Sequence, residues 1–478
     1  MFYSTQTGEL ILVRFVVLFL ILLPLMVAPS APAAQSGGVN FAEHVAPIIF
    51  NVCASCHRPG EAAPFSLLTY EDVRKRGKLI ATVTQSRYMP PWHADSDMGS
   101  FRDDRRLTDA QVRTIQDWVQ AGMPEGDPRK IPSVPKFTPG WRLGTPDLIV
   151  KMERPFEIPA EGPDIFRNFA IPLNITEDKW VKAIEFRPSS KSSHHALFFL
   201  DQTGQAVKLD EADPQPGFNG MSFLGGGLLQ RIGRRGGPAT NNAASGLGGW
   251  AVGGSPRELP DGLARRLPAG ADMIVQMHFH PSGKLEREQA TIGFYFADGA
   301  PKRTLAALQL PVLFGAFAGI DIPPGEKRFV IHDSFTLPVD VEVIGSGAHA
   351  HFLARNMRMT ALLPSGAKKD LLRIQNWDFN WQERYYFKDA LRLPKGTRID
   401  VEIAYDNSSE NPNNPNSPPK RVTFGQQSTD EMGSMSIEIV PVRESDLPEY
   451  ARAVQEHVQS SLVDGLVNFG GRGRGRLR

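Results

Sequence analysis

The sequence predicts a small all-α domain followed by two all-β sandwich domains. Apolar residues recur at helical spacing in two stretches between residues 40 and 121. From about residue 140 to residue 445 they fall instead in short or alternating runs that Gly, Pro, Asn and Asp separate. A chain of 478 residues is also too long for one hydrophobic core. We therefore expect a helical domain at 35–135, β domains at 140–305 and 306–445, and a C-terminal helix with a Gly/Arg tail at 446–478.

The overall charge is nearly balanced. Lys and Arg number 53 against 52 Asp and Glu, which gives a formal charge of +1. No whole-protein field therefore favours nucleic acid or an anionic membrane as a partner. The tail at 470–478 is the one locally basic stretch, and we interpret it as a solvated end.

The N-terminal segment has the pattern of an export signal. Arg14 precedes the apolar run 15–28, and small residues near position 33 offer a cleavage site. We interpret residues 1–34 as a signal peptide and expect a periplasmic or otherwise exported protein. The alternative is an uncleaved membrane anchor, because the polar start before Arg14 is long and includes Glu9.

The two cysteines of the chain lie in the segment Cys53-Ala54-Ser55-Cys56-His57. In a Cys-x-x-Cys-His segment the thiols bond to the porphyrin vinyl groups and the imidazole binds the iron, so we expect one covalent c-type haem with His57 as axial ligand. A thioredoxin-like redox pair would need a βαβ context, and a zinc site would need two further ligands. Neither context is visible in the sequence.

The flanks of this segment fit a small helical domain. Residues 40–50 predict an amphipathic helix, and Thr108 with Gln111 predicts a capping box at the start of a second helix. Residues 41–126 as a whole resemble the class I cytochromes c, in which a Met before Pro is the usual sixth iron ligand. That resemblance assigns the role to Met89, with His93 as the alternative.

The β region contains six runs that predict strands and one insertion. The Gly-rich stretch 217–254 predicts a surface loop or lid that contributes little to a core. The predicted strands lie in the runs 183–186, 196–200, 273–279, 290–296, 339–344 and 435–440.

The histidines are the chemically informative residues of this region. Residues i and i+2 of a strand point to one face, so His349 and His351 can hold one metal. The adjacent pair His194-His195 needs a bulge or a strand end to converge. Imidazole clusters favour copper or zinc, and an added thioether favours copper. The three groups are His194-His195, His278 with His280, and His349-Ala350-His351.

Residues 147–442 resemble the copper type II, ascorbate-dependent monooxygenases, which include peptidylglycine α-hydroxylating monooxygenase and dopamine β-monooxygenase. The order of the motifs makes the resemblance specific. The matching segments are Ser193-His194-His195, Val275-Gln276-Met277-His278-Phe279, Ile322-Pro323-Pro324-Gly325-Glu326-Lys327, His349-Ala350-His351 and Ser428-Thr429-Asp430-Glu431-Met432.

The resemblance implies two jelly-roll-like domains with one copper in each, facing across a solvent-filled cleft. His280 then lies outside the ligand set or replaces His278. The implied ligands are His194, His195 and His278 for an electron-transfer copper, and the catalytic residues His349, His351 and Met432 for the copper that binds O2.

The implied activity is hydroxylation of a C–H bond of an unknown organic substrate by O2. The haem would supply the electrons that ascorbate supplies in the relatives, and an external donor would reduce the haem. The eukaryotic relatives use several disulfides, whereas no cysteine remains here beyond the haem pair. One alternative is a haem and copper electron-transfer or copper-binding protein without monooxygenase activity. Another is a carbohydrate-binding or partner-docking sandwich with incidental histidines.

Overall fold

The computed structural model describes residues 38–474 except 62, 96–97, 99–100, 138–139, 220–246, 253 and 261. The predicted signal peptide, most of the Gly-rich insertion and the last four residues of the tail lie outside the described residues. Among the described residues, no helix combines the length and the apolar character that crossing a bilayer requires.

The N-terminal helices enclose an apolar cluster of their own. Phe41 and Trp118 are fully buried in it, together with Ile49 and Ile115. The predicted capping box is confirmed, because Thr108 and Gln111 exchange side-chain to backbone hydrogen bonds at the start of α4. The helical elements are a π-helical turn Phe41–Val45, α1 (Ala46–Ile48), a second π-helical turn Ile49–Cys53, α2 (Tyr70–Lys75), α3 (Gly77–Gln85), α4 (Asp109–Gln120) and a 3-10 turn Pro128–Lys130.

Most of the remaining chain is β structure, as predicted. Ten strands between residues 148 and 296 form what we call the first β module. An apolar core that includes Phe169, Phe279 and Phe294 lies between its two four-stranded sheets. The elements are β1 (Leu148–Lys151), β2 (Phe156–Ile158), β3 (Ile165–Pro172), β4 (Lys179–Arg187), β5 (Ser193–Asp201), α5 (Gln205–Ala212), β6 (Gly248–Ala251), β7 (Arg265–Leu267), β8 (Asp272–Phe279), β9 (Glu286–Glu288) and β10 (Thr291–Phe296).

The order of strands brings β5 and β8 side by side. One sheet has the order β1-β10-β4-β7, the other has the order β3-β8-β5-β6, and β2 pairs with β9. The end of the Gly-rich insertion forms β6, which pairs with β5, and the adjacent Leu247 is buried in the core. The prediction that the insertion contributes little to the core is therefore wrong for these residues.

The second β module, residues 306–441, also contains two four-stranded sheets. Their orders are β11-β20-β14-β17 and β13-β18-β15-β16, with a separate pair β12-β19. The strands are β11 (Ala306–Leu310), β12 (Asp321–Ile322), β13 (Phe329–Thr336), β14 (Val341–Ala350), β15 (Ala354–Leu362), β16 (Lys368–Ile374), β17 (Arg384–Leu393), β18 (Arg398–Tyr405), β19 (Val422–Thr423) and β20 (Gly433–Pro441).

A C-terminal helix follows, as predicted. This helix, α6 (Leu447–Arg474), places Tyr450 in the core of the second module. Short 3-10 turns at Val312–Gly315 and Glu444–Asp446 complete the described elements of this region. Four of the six predicted strand runs lie within β4, β5, β8 and β20. The other two begin one or two residues before β10 and β14 and otherwise lie within them.

The middle of the segment between α3 and α4 packs against the second β module rather than within the helical cluster. Trp92 and Phe101 belong to the apolar core of that module. The Phe101 ring stacks on Phe387 of β17, with 5.1 Å between ring centroids. The Asp95 carboxylate pairs with Arg373 of β16. Within the range 35–135, these residues therefore contribute to a β core.

We expect Phe101→Ala to lower the free energy of unfolding of the protein by about 3–5 kcal/mol, because it removes a buried ring from the second module. Chemical denaturation would measure this change. Leu79→Ala is the control, since Leu79 is half exposed on α3, and we expect a change within about 0.5 kcal/mol. Equal stability of the two variants would contradict the packing of this segment in the β core.

Candidate metal centre

His194 and His195 lie at the start of β5, where the chain departs from regular pairing. The register between β5 and β8 shifts between Ser193 and His195, which confirms the predicted irregularity. Glu288 of β9 accepts hydrogen bonds from the Ser189 N–H at 2.8 Å and from the Ser193 hydroxyl. The irregular segment is therefore held in place by a buried carboxylate, and both imidazoles reach the same space.

His278 of β8 completes a cluster of three imidazoles with this pair. One nitrogen of each ring of His194, His195 and His278 lies within 4.8 Å of the others. His195 Nε2 is 3.0 Å from His278 Nδ1. Both ring nitrogens of His194 are buried without a hydrogen-bond partner. Because an unpaired buried nitrogen is costly, a metal ion that used it as a ligand would relieve this cost.

The ring of His278 is fixed from its other side. Asp164, which directly precedes β3, has a carboxylate oxygen 2.9 Å from His278 Nε2. Its other oxygen is 2.7 Å from His280 Nδ1. The His280 side chain is 70 % exposed, whereas that of His278 is 1 % exposed. His278 therefore belongs to the three-imidazole cluster, and His280 lies outside it.

His349 and His351 form a second group at the end of β14. Their ring centroids are 5.5 Å apart. His349 Nδ1 lies 2.6 Å from Gln382 Oε1, and His351 Nδ1 lies 3.2 Å from the Asp430 carbonyl oxygen. In both rings an N–H at Nδ1 can donate to these acceptors, which leaves the Nε2 lone pair for a metal.

Met432 lies next to this second group. It directly precedes β20, whose first residue Gly433 is paired with Ala350, so Met432 and His351 occupy adjoining positions of neighbouring strands. The Met432 side chain is buried. The three residues predicted as one ligand set therefore lie at the same end of two paired strands.

Glu431 fastens the two strand ends of this group together. Its Oε1 accepts the N–H of His351 at 2.5 Å and the N–H of Met432 at 2.8 Å, and its Oε2 accepts the N–H of Leu353 at 2.9 Å. Complete burial raises the pKa of Glu431 to about 8, while these backbone donors oppose the rise. Sequence reasoning found Glu431 only as part of a motif, without this role.

The two groups are in contact across the modules. The rings of His195 and His349 have centroids 6.2 Å apart in an edge-to-face arrangement. The ring of Phe379 stacks on His194 at 4.9 Å and contacts His351 at 5.7 Å. The expected solvent-filled cleft is therefore wrong at this point, because a buried aromatic side chain occupies the space between the groups. Phe379 was not found from the sequence.

Desolvation favours the neutral form of four of these imidazoles. Burial lowers the pKa of His194 and of His351 to about 3 and that of His349 to about 4, and it lowers the pKa of His195 as well. A neutral imidazole is the form that binds a metal. The donor set of imidazoles, with one thioether nearby, is suited to copper.

The Cys-x-x-Cys-His segment begins at the last residue of the helical turn Ile49–Cys53. Both Cys53 and Cys56 are free thiols. His57 Nδ1 lies 3.1 Å from the carbonyl oxygen of Phe65, and the two rings are in contact. With Nδ1–H directed at this carbonyl, Nε2 remains available as an axial ligand. The residues of this segment thus fit a covalently attached haem.

The two candidates for the sixth iron ligand have different surroundings. Met89 follows α3 and donates its N–H to the Val83 carbonyl at 3.0 Å. The N–H of His93 is 3.3 Å from the Tyr385 hydroxyl of the second β module. Burial lowers the pKa of His93, and Asp378 opposes this shift. His93 is therefore held by the β module, whereas Met89 is anchored to the end of α3.

Comparison with known proteins gives only weak matches. No family model and no curated protein matches the sequence. The major capsid protein P2 of bacteriophage PM2 is 9 % identical over 58 % of this chain and 97 % of its own, with a TM-score of 0.23. The infectious bursal disease virus VP2 subviral particle is 10 % identical over 66 % of this chain and 76 % of its own, with a TM-score of 0.18. PNGF-II is 10 % identical over 62 % of this chain and 65 % of its own, with a TM-score of 0.24.

The metal-free protein should lose stability as the pH falls from 7 to 5. A histidine that stays neutral when folded but is protonated below pH 6.5 when unfolded favours the unfolded chain under acidic conditions. We expect the free energy of unfolding to fall by about 2 kcal/mol for each such histidine. Urea denaturation at the two pH values would measure it.

His194→Asn should reduce the difference in the free energy of unfolding between pH 7 and pH 5 by about 2 kcal/mol, the contribution of one histidine. His332→Asn is the matched control, because His332 is exposed, and it should leave the dependence unchanged. Equal free energies of unfolding at pH 7 and pH 5 in the unmodified protein would contradict the neutral, buried state of the cluster.

Proposed function

We propose that the chain is an exported copper-dependent monooxygenase that hydroxylates a C–H bond of an organic substrate with O2 and receives electrons through its own covalent haem. The observation that carries the proposal is the meeting of two imidazole groups. One is the cluster of His194, His195 and His278, and the other is the pair His349 and His351 beside Met432.

The first group has the character of an electron-transfer copper site. It offers three imidazoles on two adjacent strands of a rigid sheet, and no thioether is among its predicted ligands. Rigid strands hold a ligand set with little rearrangement between oxidation states. Both ring nitrogens of His194 are also buried away from solvent.

The second group has the character of the site where O2 reacts. The thioether of Met432 would favour the reduced form of a copper, and bound copper would supply the activation of O2. Gln382 and the Asp430 carbonyl hold the Nδ1 atoms of His349 and His351, so that both Nε2 atoms have fixed directions. Glu431 keeps Met432 beside His351.

The architecture supports the same proposal. Each β module consists of two antiparallel four-stranded sheets, an arrangement that suits the expected jelly-roll-like domains. The helical segment that carries Cys53, Cys56 and His57 has its own core, as a small cytochrome c requires. The loop after Met89 packs on the second module through Trp92. This contact supports a haem domain that is docked on the proposed copper module rather than carried on a free linker.

Copper loading tests the ligand sets. We expect two coppers per chain, and we expect Met432→Leu to lower substrate-dependent O2 uptake about tenfold or more, because the leucine keeps the volume but removes the sulfur. Met435→Leu is the matched control on β20, since Met435 lies in the apolar core. Oxygen electrode measurements with a panel of candidate substrates would report the uptake.

Two outcomes of this experiment distinguish the candidates. Fewer than two coppers per chain would contradict the proposed sites. A different result would favour a haem and copper electron-transfer or copper-binding protein. In that case the chain binds two coppers but shows no substrate-dependent O2 uptake, and Met432→Leu leaves the O2 uptake unchanged.

Haem attachment has a separate test. In cells with a cytochrome c maturation system, the chain should carry one covalent haem that remains bound on a denaturing gel, as peroxidase staining would detect. Cys53→Ala should abolish the stable attachment. Ser55→Ala should retain it, because Ser55 occupies an x position of the Cys-x-x-Cys-His segment and supplies neither a thiol nor the axial imidazole. Absence of covalent haem from the unmodified chain would overturn this part of the proposal.

A further inference from the structure

Asp164 is a buried carboxylate that contacts three side chains around the first imidazole group. It lies immediately before β3, and the first residue of β3, Ile165, is paired with Phe279 between His278 and His280. The Asp164 side chain is 6 % exposed. Its position is thus set by the sheet and not by a free loop.

The two oxygens of Asp164 have different partners. Oδ2 is 2.9 Å from Nε2 of His278 and also accepts the hydroxyl hydrogen of Ser428. Oδ1 is 2.7 Å from Nδ1 of the exposed His280. Two imidazoles and one hydroxyl therefore surround this single carboxylate.

The contact with His278 decides which nitrogen of that ring faces the cluster. Nε2–H is directed at the carboxylate, and Nδ1 is directed at His195. The ring of Phe166 stacks on His278 with 4.2 Å between centroids and 12° between planes. The imidazole therefore has one orientation and one tautomer, with the Nδ1 lone pair on the side of the other two histidines.

We infer that Asp164 is a positioning residue of the three-imidazole centre, which holds His278 for Nδ1 coordination and increases the electron donation of its ring. This inference rests on the proposed binding of copper by His194, His195 and His278. A carboxylate behind a ligating imidazole fixes its direction and raises its basicity. The added negative charge also favours Cu(II) over Cu(I), so it lowers the reduction potential of this copper.

Asp164→Asn is the main test, because the amide keeps the size of the side chain but removes the charge. In the full-length, copper-loaded protein we expect the affinity of the first site for Cu(II) to fall about 10- to 100-fold. We also expect its reduction potential to rise. Competition with a chelator would measure the affinity, and a redox titration followed by electron paramagnetic resonance would measure the potential.

His280→Gln is the matched control. It removes the exposed partner of Asp164 and leaves the contact with His278 in place, so we expect the affinity and potential of the unmodified protein. If His280→Gln lowers the affinity as much as Asp164→Asn does, Asp164 acts through general folding and the inference is overturned.

A measurement on the unmodified protein covers the case in which Asp164→Asn does not fold. Electron spin echo modulation of the Cu(II) form reports the remote imidazole nitrogens of the ligands. We expect one remote nitrogen whose quadrupole coupling differs from the others, because Nε2 of His278 donates to a charged carboxylate. Three equivalent remote nitrogens would overturn the inference.

The possible failures are distinguishable. If the unmodified protein binds no copper at the three histidines, the proposed function fails. If it binds copper there with equivalent remote nitrogens, or if Asp164→Asn folds and matches its affinity and potential, the role of Asp164 fails and the proposed function remains.

Discussion

Burial of neutral imidazoles at the meeting of two β modules is the constraint on which the site depends. A buried ring nitrogen requires a partner. The chain supplies a partner from outside the histidine groups for one nitrogen of each of His278, His349 and His351. The partners are a carboxylate, a side-chain amide and a backbone carbonyl. Each partner leaves the second nitrogen of its ring directed into the shared space. The same contacts that make burial tolerable therefore create the arrangement of donors.

Paired charges across the modules maintain this meeting. Buried Glu438 of β20 contacts Arg265 of the first module and Arg384 of the second. Glu383 contacts Arg105 of the segment after α3 and lies 3.7 Å from Arg257. Because each carboxylate has two arginine partners, loss of one partner leaves a buried charge incompletely compensated, which is costly. These pairs favour one relative placement of the modules, with His195 against His349.

The sequence predicted the features that depend on local pattern. Periodicity located the main strands, the adjacent histidines His194-His195 required an irregular strand, and Thr108 with Gln111 predicted a helix start. Features that depend on distant pairs were not predictable in this way. Phe379, Asp164 and the docking of Phe101 on Phe387 join residues far apart in sequence, and their types alone fit many surfaces. Glu431 belonged to a recognised motif, but its three backbone donors become visible only when the two strand ends are adjacent.

The loop at 375–383 connects the helical region to both imidazole groups. On its inner side, Gln382 contacts His349, the Trp377 indole N–H donates to the His351 carbonyl at 3.0 Å, and Phe379 lies between the groups. On its outer side, Glu383 pairs with Arg105 of the segment that follows α3. A haem domain joined through this segment would be a permanent neighbour of the site, so its electron transfer would not depend on diffusion of a donor. The same loop orients His349 and His351, so displacement of the segment that follows α3 would also disturb the direction of their ring nitrogens. The geometry of the site therefore depends on the packing of this segment against the second module.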